Sequence, residues 1–373
     1  MSPQVTAAII AASVSFLTLI GTLAAQYFGR RATSRDTQEA LEEQRKQLDK
    51  TLAEQRSRTL NERFVTAAWQ LGSDKPPAVR LAGVYALAGL ADDWPENRQT
   101  CVDVLCAYLR MPYEPDPGQD APGPERLAFR ASREVRHTLI RVITAHLKAG
   151  AAVSWQGLNF DFTGAVFDGG DFTHAVFSGG VVSFGGAEFS GGAVDFSNAE
   201  FSGGIFSFNG AEFSGGAVSF GSAELSGSRV DFHSARFSGG RVNFSGARFS
   251  GGVITFGRAE FSGSRVDFHS AEFSGGRVNF HSARFSGGRV NFSGARFSGA
   301  TVGFAQAEFT GGTVNFGTAS FAADTVDFSG ARFSGGEVDF RDPSDWSFPP
   351  AFPWSDTPPP GAKLPEKGDQ SQA

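Results

Sequence analysis

Residues 241–252 read RVNFSGARFSGG, and the same twelve-residue unit, V-x-F-x-x-A-x-F-S-G-G-x in outline, recurs along the middle of the chain. Val242 and Phe244, then Ala247 and Phe249, are each separated by one variable residue. Apolar side chains on alternate positions mark a half-buried β-strand. A unit that cannot bury its own Phe must stack on identical neighbours, so the pattern predicts a solenoid. The doubled Gly permits the positive φ values that tight corners need. Phe recurs every five residues from Phe162 to Phe177, then at alternating spacings of seven and five up to Phe340, with Leu225 as the one replacement. A disordered Phe-Gly-Ser tract does not hold such a register over roughly 180 residues.

Composition agrees. The 373 residues include 47 Gly and 38 Phe, and 32 of the Phe fall between Phe160 and Phe340. Two Cys exclude a disulfide scaffold and a cysteine-rich zinc module, and Gly without a period of three excludes collagen. A net charge of −6 does not by itself suggest a nucleic-acid binder. The sequence lacks G-x-S-x-G, G-x-x-x-x-G-K-[ST], H-E-x-x-H and C-x-x-C. The recurring SGG reads as a corner. Asp195, Asp231, Asp267, Asp327 and Asp339 share one motif position, V-D-F. His233, His269 and His281 also share a position, but none is 24 residues from another, so no metal ladder forms. No catalytic residue, metal, cofactor or small-molecule substrate is expected.

Charge decides the length of a coil. The exposed residue of A-x-F reads Glu188, Glu200, Glu212, Glu224, Arg236, Arg248, Glu260, Glu272, Arg284, Arg296, Glu308, Ser320, Arg332. Neighbours 12 apart are like-charged in six pairs and opposite in four, whereas neighbours 24 apart are opposite in eight and like in two. Opposite charges on adjacent strands stabilise pairing, so a 24-residue coil is predicted. Phe196, Phe201, Phe244, Phe249, Phe268, Phe273, Phe292 and Phe297 then point inward.

On these residues the chain resembles the pentapeptide-repeat family, whose motif is A-(D/N)-(L/F)-x-x with the first and third positions inward. The likeness covers about residues 158–341; AVFDG, GDFTH and AVFSG near its start fit directly, and the later GG insertions depart from it. The resemblance implies a right-handed, four-sided parallel β-helix over 151–341. The layout also resembles bacterial membrane-anchored members in which a helical segment, here ERFVTAAWQLGS and AVRLAGVYALAGLA, precedes the repeats.

The remaining parts are helical. Val5–Ala25 carries no charge over twenty-one residues, about 31 Å as a helix, which matches a bilayer core of roughly 30 Å. Residues 1–29 are therefore expected to be a transmembrane anchor. With Arg30, Arg31 and Arg35 behind the run, the positive-inside rule places the N-terminus outside and the rest in the cytoplasm of a single-pass protein. Residues 30–63 read as a charged stalk helix in which Leu41, Leu48 and Leu52 could seat a short coiled coil, making 32–63 a candidate for homo-oligomer formation. Pro- and Gly-punctuated helices fill 64–150 around a loop at 114–125. Cys101 and Cys106 read as core, and His137 and His146 as surface or capping residues. Residues 342–373 hold eight of the 17 Pro; the aromatic part is expected to cap the last coil, and the chain beyond about 356 to be disordered.

One surface feature stands out. Residues 151–224 contain eight acids and no Lys or Arg, while 229–296 contain ten Arg against four acids. A 24-residue coil stacks Arg241, Arg265 and Arg289 on adjacent strands, where either flanking acids or an anionic partner must offset their repulsion. The expected function is that of a non-enzymatic, membrane-anchored scaffold presenting a rigid β-helix to cytoplasmic protein partners. The resemblance implies an alternative, a DNA-mimicking topoisomerase binder, which the acidic segment fits and the Arg-rich centre does not. A structural, self-associating role is the third reading.

Overall fold

Short strands between Phe160 and Asp339 pair in parallel with strands 24 residues away, as Val242 does with Val218 and Val266. The structure is a computed structural model describing residues 3–366 apart from 73, 115, 324 and 356, with the side chains of 3–14 and 29–39 outside that description. About eight coils of ~24 residues form a parallel β-solenoid. Each full coil contributes a segment to each of four strand ladders, named here in chain order from Phe160–Asp161 (first), Val166–Phe167 (second), Gly170–Asp171 (third) and Val176–Phe177 (fourth). The first coil is two residues shorter, pairing Phe160 with Val182 and Val166 with Glu188, because Phe167 and Phe172 stand five apart where later coils have seven.

Phe fills the bore. The eight Phe named above are at most 1% exposed. Identical positions stack ring on ring: Phe220, Phe244, Phe268 and Phe292 follow one another with centroids 4.7–4.8 Å apart and planes 3–5° off parallel. That spacing is the strand repeat itself, about 4.8 Å. Burial of apolar area and aromatic contact are therefore gained at every coil.

Corners show why the doubled Gly recurs. Gly240 has φ +67°, and a Cβ there would lie 2.5 Å from the carbonyl oxygen of Gly216 one coil below. Where the second Gly is absent, Ser228 is buried and its hydroxyl donates to the Phe201 carbonyl at 3.1 Å. The other corner, F-x-x-A, is a turn closed by bonds such as Ala235 N to Phe232 O at 3.0 Å, and it tolerates Ser234 at φ +56°.

The chain divides into two units, residues 1–63 and 64–373. Helix α1 spans Pro3–Leu71. The transmembrane expectation is corrected: among the described residues no helix is long and apolar enough to cross a membrane. The side chains of Val5–Val14, the first part of the apolar run, lie outside the described residues. The single-pass placement with an outer N-terminus falls with it. Within the stalk, Leu41, Leu48 and Leu52 are all exposed; the side chains of 32–39 lie outside the described residues.

In the second unit, α2 (Pro77–Asp93), α3 (Arg98–Arg110) and α4 (Gly123–Leu147) surround a core of Val84, Leu87, Leu105, Leu109, Leu139 and Ile143. The end of α1 approaches α2 so closely that a Cβ on Gly83 would sit 2.7 Å from the Leu71 nitrogen. Cys101 and Cys106 are both buried, and burial pushes the Cys101 thiol up to about 11. Helix α4 starts at Gly123, inside the expected 114–125 loop, with Pro in its first turn.

These helices cover the first coil. Arg136 donates to the Val166 carbonyl at 2.7 Å, Thr144 to the Asp171 carbonyl at 2.7 Å, and Gln99 to the Asn159 carbonyl at 2.9 Å. The two His are not surface residues: His137 meets Asp168 at 3.0 Å, and His146 stacks on Trp155 at 4.0 Å while contacting Asp92 at 3.1 Å.

At the other end the Pro-rich tail adds a partial coil. Asp345 bridges Ser320, Ala351 bridges Asp327, and Ala362–Lys363 pairs with Val338–Asp339. Trp346 packs on Phe321, and Trp354 on Phe333. The expectation of disorder past 356 is corrected for 357–366, whose Ala362 and Lys363 continue the third ladder; residues 367–373 lie outside the described residues.

Candidate interaction surface

Each strand of the third ladder reads x-V-x, with Val inward and its neighbours outward. Arg241, Arg265 and Arg289 precede the buried Val242, Val266 and Val290, and all three are exposed. Arg241 pairs in register with Arg265, and Arg265 with Arg289. Like charges about 4.8 Å apart repel by roughly 0.5–1 kcal/mol per pair in water before salt screens them.

Flanking acids offset only the middle one. Arg265 has Asp267 at 3.7 Å, two residues on along its strand. The corresponding neighbours of Arg241 and Arg289 are Asn243 and Asn291, which carry no charge. Among the described residues Arg241 and Arg289 make no ion pair.

The contrast with the two adjacent ladders is sharp. On the second ladder Arg236 stands between Glu212 and Glu260, and Arg284 between Glu260 and Glu308. On the fourth, Arg248 stands between Glu224 and Glu272, with ion pairs of 3.5 and 3.6 Å. All eight opposite-charge pairs read from the sequence are in register, as are the two like-charged ones, Glu188 with Glu212 and Glu200 with Glu224. An open groove of about 490 Å³ runs along the second ladder past Glu260, Arg284, Glu308 and Arg332, but these charges are already paired at 3.2–3.8 Å. Charge alternation thus holds on the second ladder from Glu212 onward and on the fourth from Glu224 to Arg296, and fails at the centre of the third.

Among the described residues no group of three or more His, Cys, Asp or Glu could hold a metal ion. His269 meets the Ser293 hydroxyl at 3.1 Å, and Asp195, Asp231, Asp267, Asp327 and Asp339 accept the backbone N–H two residues on, closing turns.

Sequence reasoning missed Asp168. It gathers Tyr113 at 2.8 Å, His137 at 3.0 Å and Arg133 at 3.1 Å, joining α4 and the segment after α3 to the first coil. Burial opposes its charge, but the bonds from His137 and Tyr113 and the nearby Arg133 hold its carboxyl below the usual range. Arg110 and Asp161 also pair, joining α3 to the first coil. Asp168 sits within the regular five-residue rhythm, between Phe167 and Phe172, so nothing local marked it, and its partners lie more than 30 residues away.

Residues 162–207 match the family described as pentapeptide repeats (9 copies). No curated protein and no solved structure matches the chain. The matched stretch covers the opening coils of a solenoid whose register continues to Asp339, and the chain belongs to the pentapeptide-repeat family.

Proposed function

We propose that this protein is a non-enzymatic interaction scaffold that docks an anionic protein partner along the third ladder at Arg241, Arg265 and Arg289. Pentapeptide-repeat solenoids are a protein-interaction type of fold. The right-handed, four-sided coil implied by the family resemblance belongs to the same proposal, and four ladders per coil support it. The observation that carries the reading is the in-register Arg stack, where among the described residues only Arg265 has an acid within 4 Å.

A rigid strand array holds the three guanidinium groups at a fixed pitch, so a partner with several carboxylates meets them without ordering a loop first. Such contacts mainly set specificity and association rate and weaken with salt. The test is binding of poly-L-glutamate to the full chain and to R241T/R265T/R289T. Thr is the natural occupant of the same ladder position at Thr313. Binding about tenfold weaker in the variant at ~50 mM salt supports docking; equal binding with unchanged stability contradicts it.

A further inference from the structure

Of the three stacked arginines, Arg241 and Arg289 make no ion pair among the described residues, and the coil sets their spacing. The Phe244, Phe268 and Phe292 rings of the same coils follow one another at 4.8 and then 4.7 Å, so Arg241 and Arg289 stand about 9.5 Å apart along the axis. The level between them differs. Asp267 stands beside Arg265 there and is held in place: it accepts from the Asn291 side-chain amide at 3.0 Å and from the His269 backbone N–H at 3.0 Å, besides approaching Arg265 at 3.7 Å. The outer levels carry Asn243 and Asn291 in its place. One coil further on either side the strand is uncharged, with Ala217 and Ser219 before and Thr313 and Asn315 after. The face therefore presents two positive points with a neutralised pair midway.

We infer that the partner docks here as an α-helix lying along the solenoid axis, with carboxylates seven residues apart on Arg241 and Arg289 and no acid between them. The inference rests on the docking reading above. On an α-helix residues i and i+7 share a face and lie about 10.5 Å apart along the axis, within ~1 Å of the arginine spacing. Along an extended chain the side chains of one face recur at about 6.7 and 13 Å, which miss that spacing by roughly 3–4 Å. Strand addition is not open to a partner, because Arg241–Asn243 and Arg289–Asn291 already pair with a neighbour on both sides. The strand Arg265–Asp267 is about 10 Å long, room for a single helix of ~10 Å diameter. An acid at i+3 or i+4 of that helix faces the Asp267 carboxylate, so the middle level selects against it.

Glutamate spacing on a helix of fixed composition tests it. Fluorescence anisotropy at ~50 mM salt follows alanine-based helical peptides with Glu at i and i+7, at i and i+5, or at i, i+4 and i+7, alongside poly-L-glutamate and a thymidine oligonucleotide. Circular dichroism confirms that the peptides are equally helical. The proteins are the full chain, R241T/R289T and D267N; Asn243 and Asn291 close the same turn by accepting the backbone N–H two residues on, so D267N keeps the corner. Expected are binding of the i, i+7 peptide about fivefold tighter than the i, i+5 peptide, loss of that difference in R241T/R289T, and a gain of about threefold from the third Glu on D267N but none on wild type. Equal binding of the two spacings, or a preference that survives R241T/R289T, overturns the proposal. If poly-L-glutamate still binds through these arginines, only the helical partner is lost; if that binding is also absent, the docking reading falls with it. An oligonucleotide held tighter than every peptide through the same arginines would overturn both.

Discussion

Arg241 and Arg265 stand directly opposite each other on neighbouring parallel strands, and among the described residues only Arg265 of the two has a carboxylate within ion-pair distance. On the adjacent second ladder Arg236 at the corresponding level has Glu on both sides. The same sequence thus alternates charge along the second ladder from Glu212 to Arg332 and along the fourth from Glu224 to Arg296, and stacks three like charges on the third.

The corner glycines separate steric need from backbone need. At Gly240 a side chain would have to adopt φ +67° and occupy space within 2.5 Å of the Gly216 oxygen. At Gly246 φ is +65°, but the nearest atom is the Ser222 hydroxyl at 3.4 Å, and Ser222 and Ser270 occupy the same ladder position at φ +55°. Gly240→Ala should cost about 2–4 kcal/mol and Gly246→Asn under ~1 kcal/mol in chemical denaturation. Equal losses would refute the steric account.

Leu225 breaks the Phe stack of the fourth ladder between Phe201 and Phe249 while remaining 2% exposed. Leu225→Phe restores ring contact on both sides. It should stabilise the chain by roughly 0.5–1.5 kcal/mol, read as a raised melting temperature. A lower melting temperature would show that this coil has closed around the smaller side chain.

The 24-residue coil was legible because the exposed charges of adjacent strands must match, and Arg236 with Glu212 and Glu260 records that requirement in the sequence. The inward Phe positions were legible for a related reason, period-two alternation. Asp168 was not, because its partners Tyr113, Arg133 and His137 come from segments that nothing local ties to the solenoid. The tail misled for the opposite reason. Its Pro content reads as disorder, yet Ala362 and Lys363 find a preformed strand edge at Val338 and Asp339.

That edge gives a third prediction. Ending the chain after Arg341 removes the strand over Val338–Asp339 and the rings of Trp346, Phe352 and Trp354, leaving the last coil open. Uncovered parallel edges pair with one another. The truncated protein should scatter light on standing at micromolar concentration where the full chain does not. If it stays monodisperse, the tail has no capping role.

Asp168 makes the helical cap sensitive to acid. Its carboxyl is depressed in the folded chain, so its contribution is present above the unfolded value of about 3.9 and is lost as pH falls through the lower folded value. Asp168→Asn should cost about 1–3 kcal/mol at pH 7 and much less near pH 2. A cost independent of pH would mean that the side chain's shape, not its charge, holds the cap.

The most direct test of the central claim measures stability against salt for R241T/R289T, which removes the two arginines lacking an acid and leaves the Arg265–Asp267 pair in place. If the Arg stack is retained for docking at the expense of the isolated fold, the variant should be about 0.5–1.5 kcal/mol more stable than wild type at ~20 mM salt, and the difference should vanish near ~1 M. A variant less stable than wild type at low salt would show that the stack supports the fold, and would contradict the account.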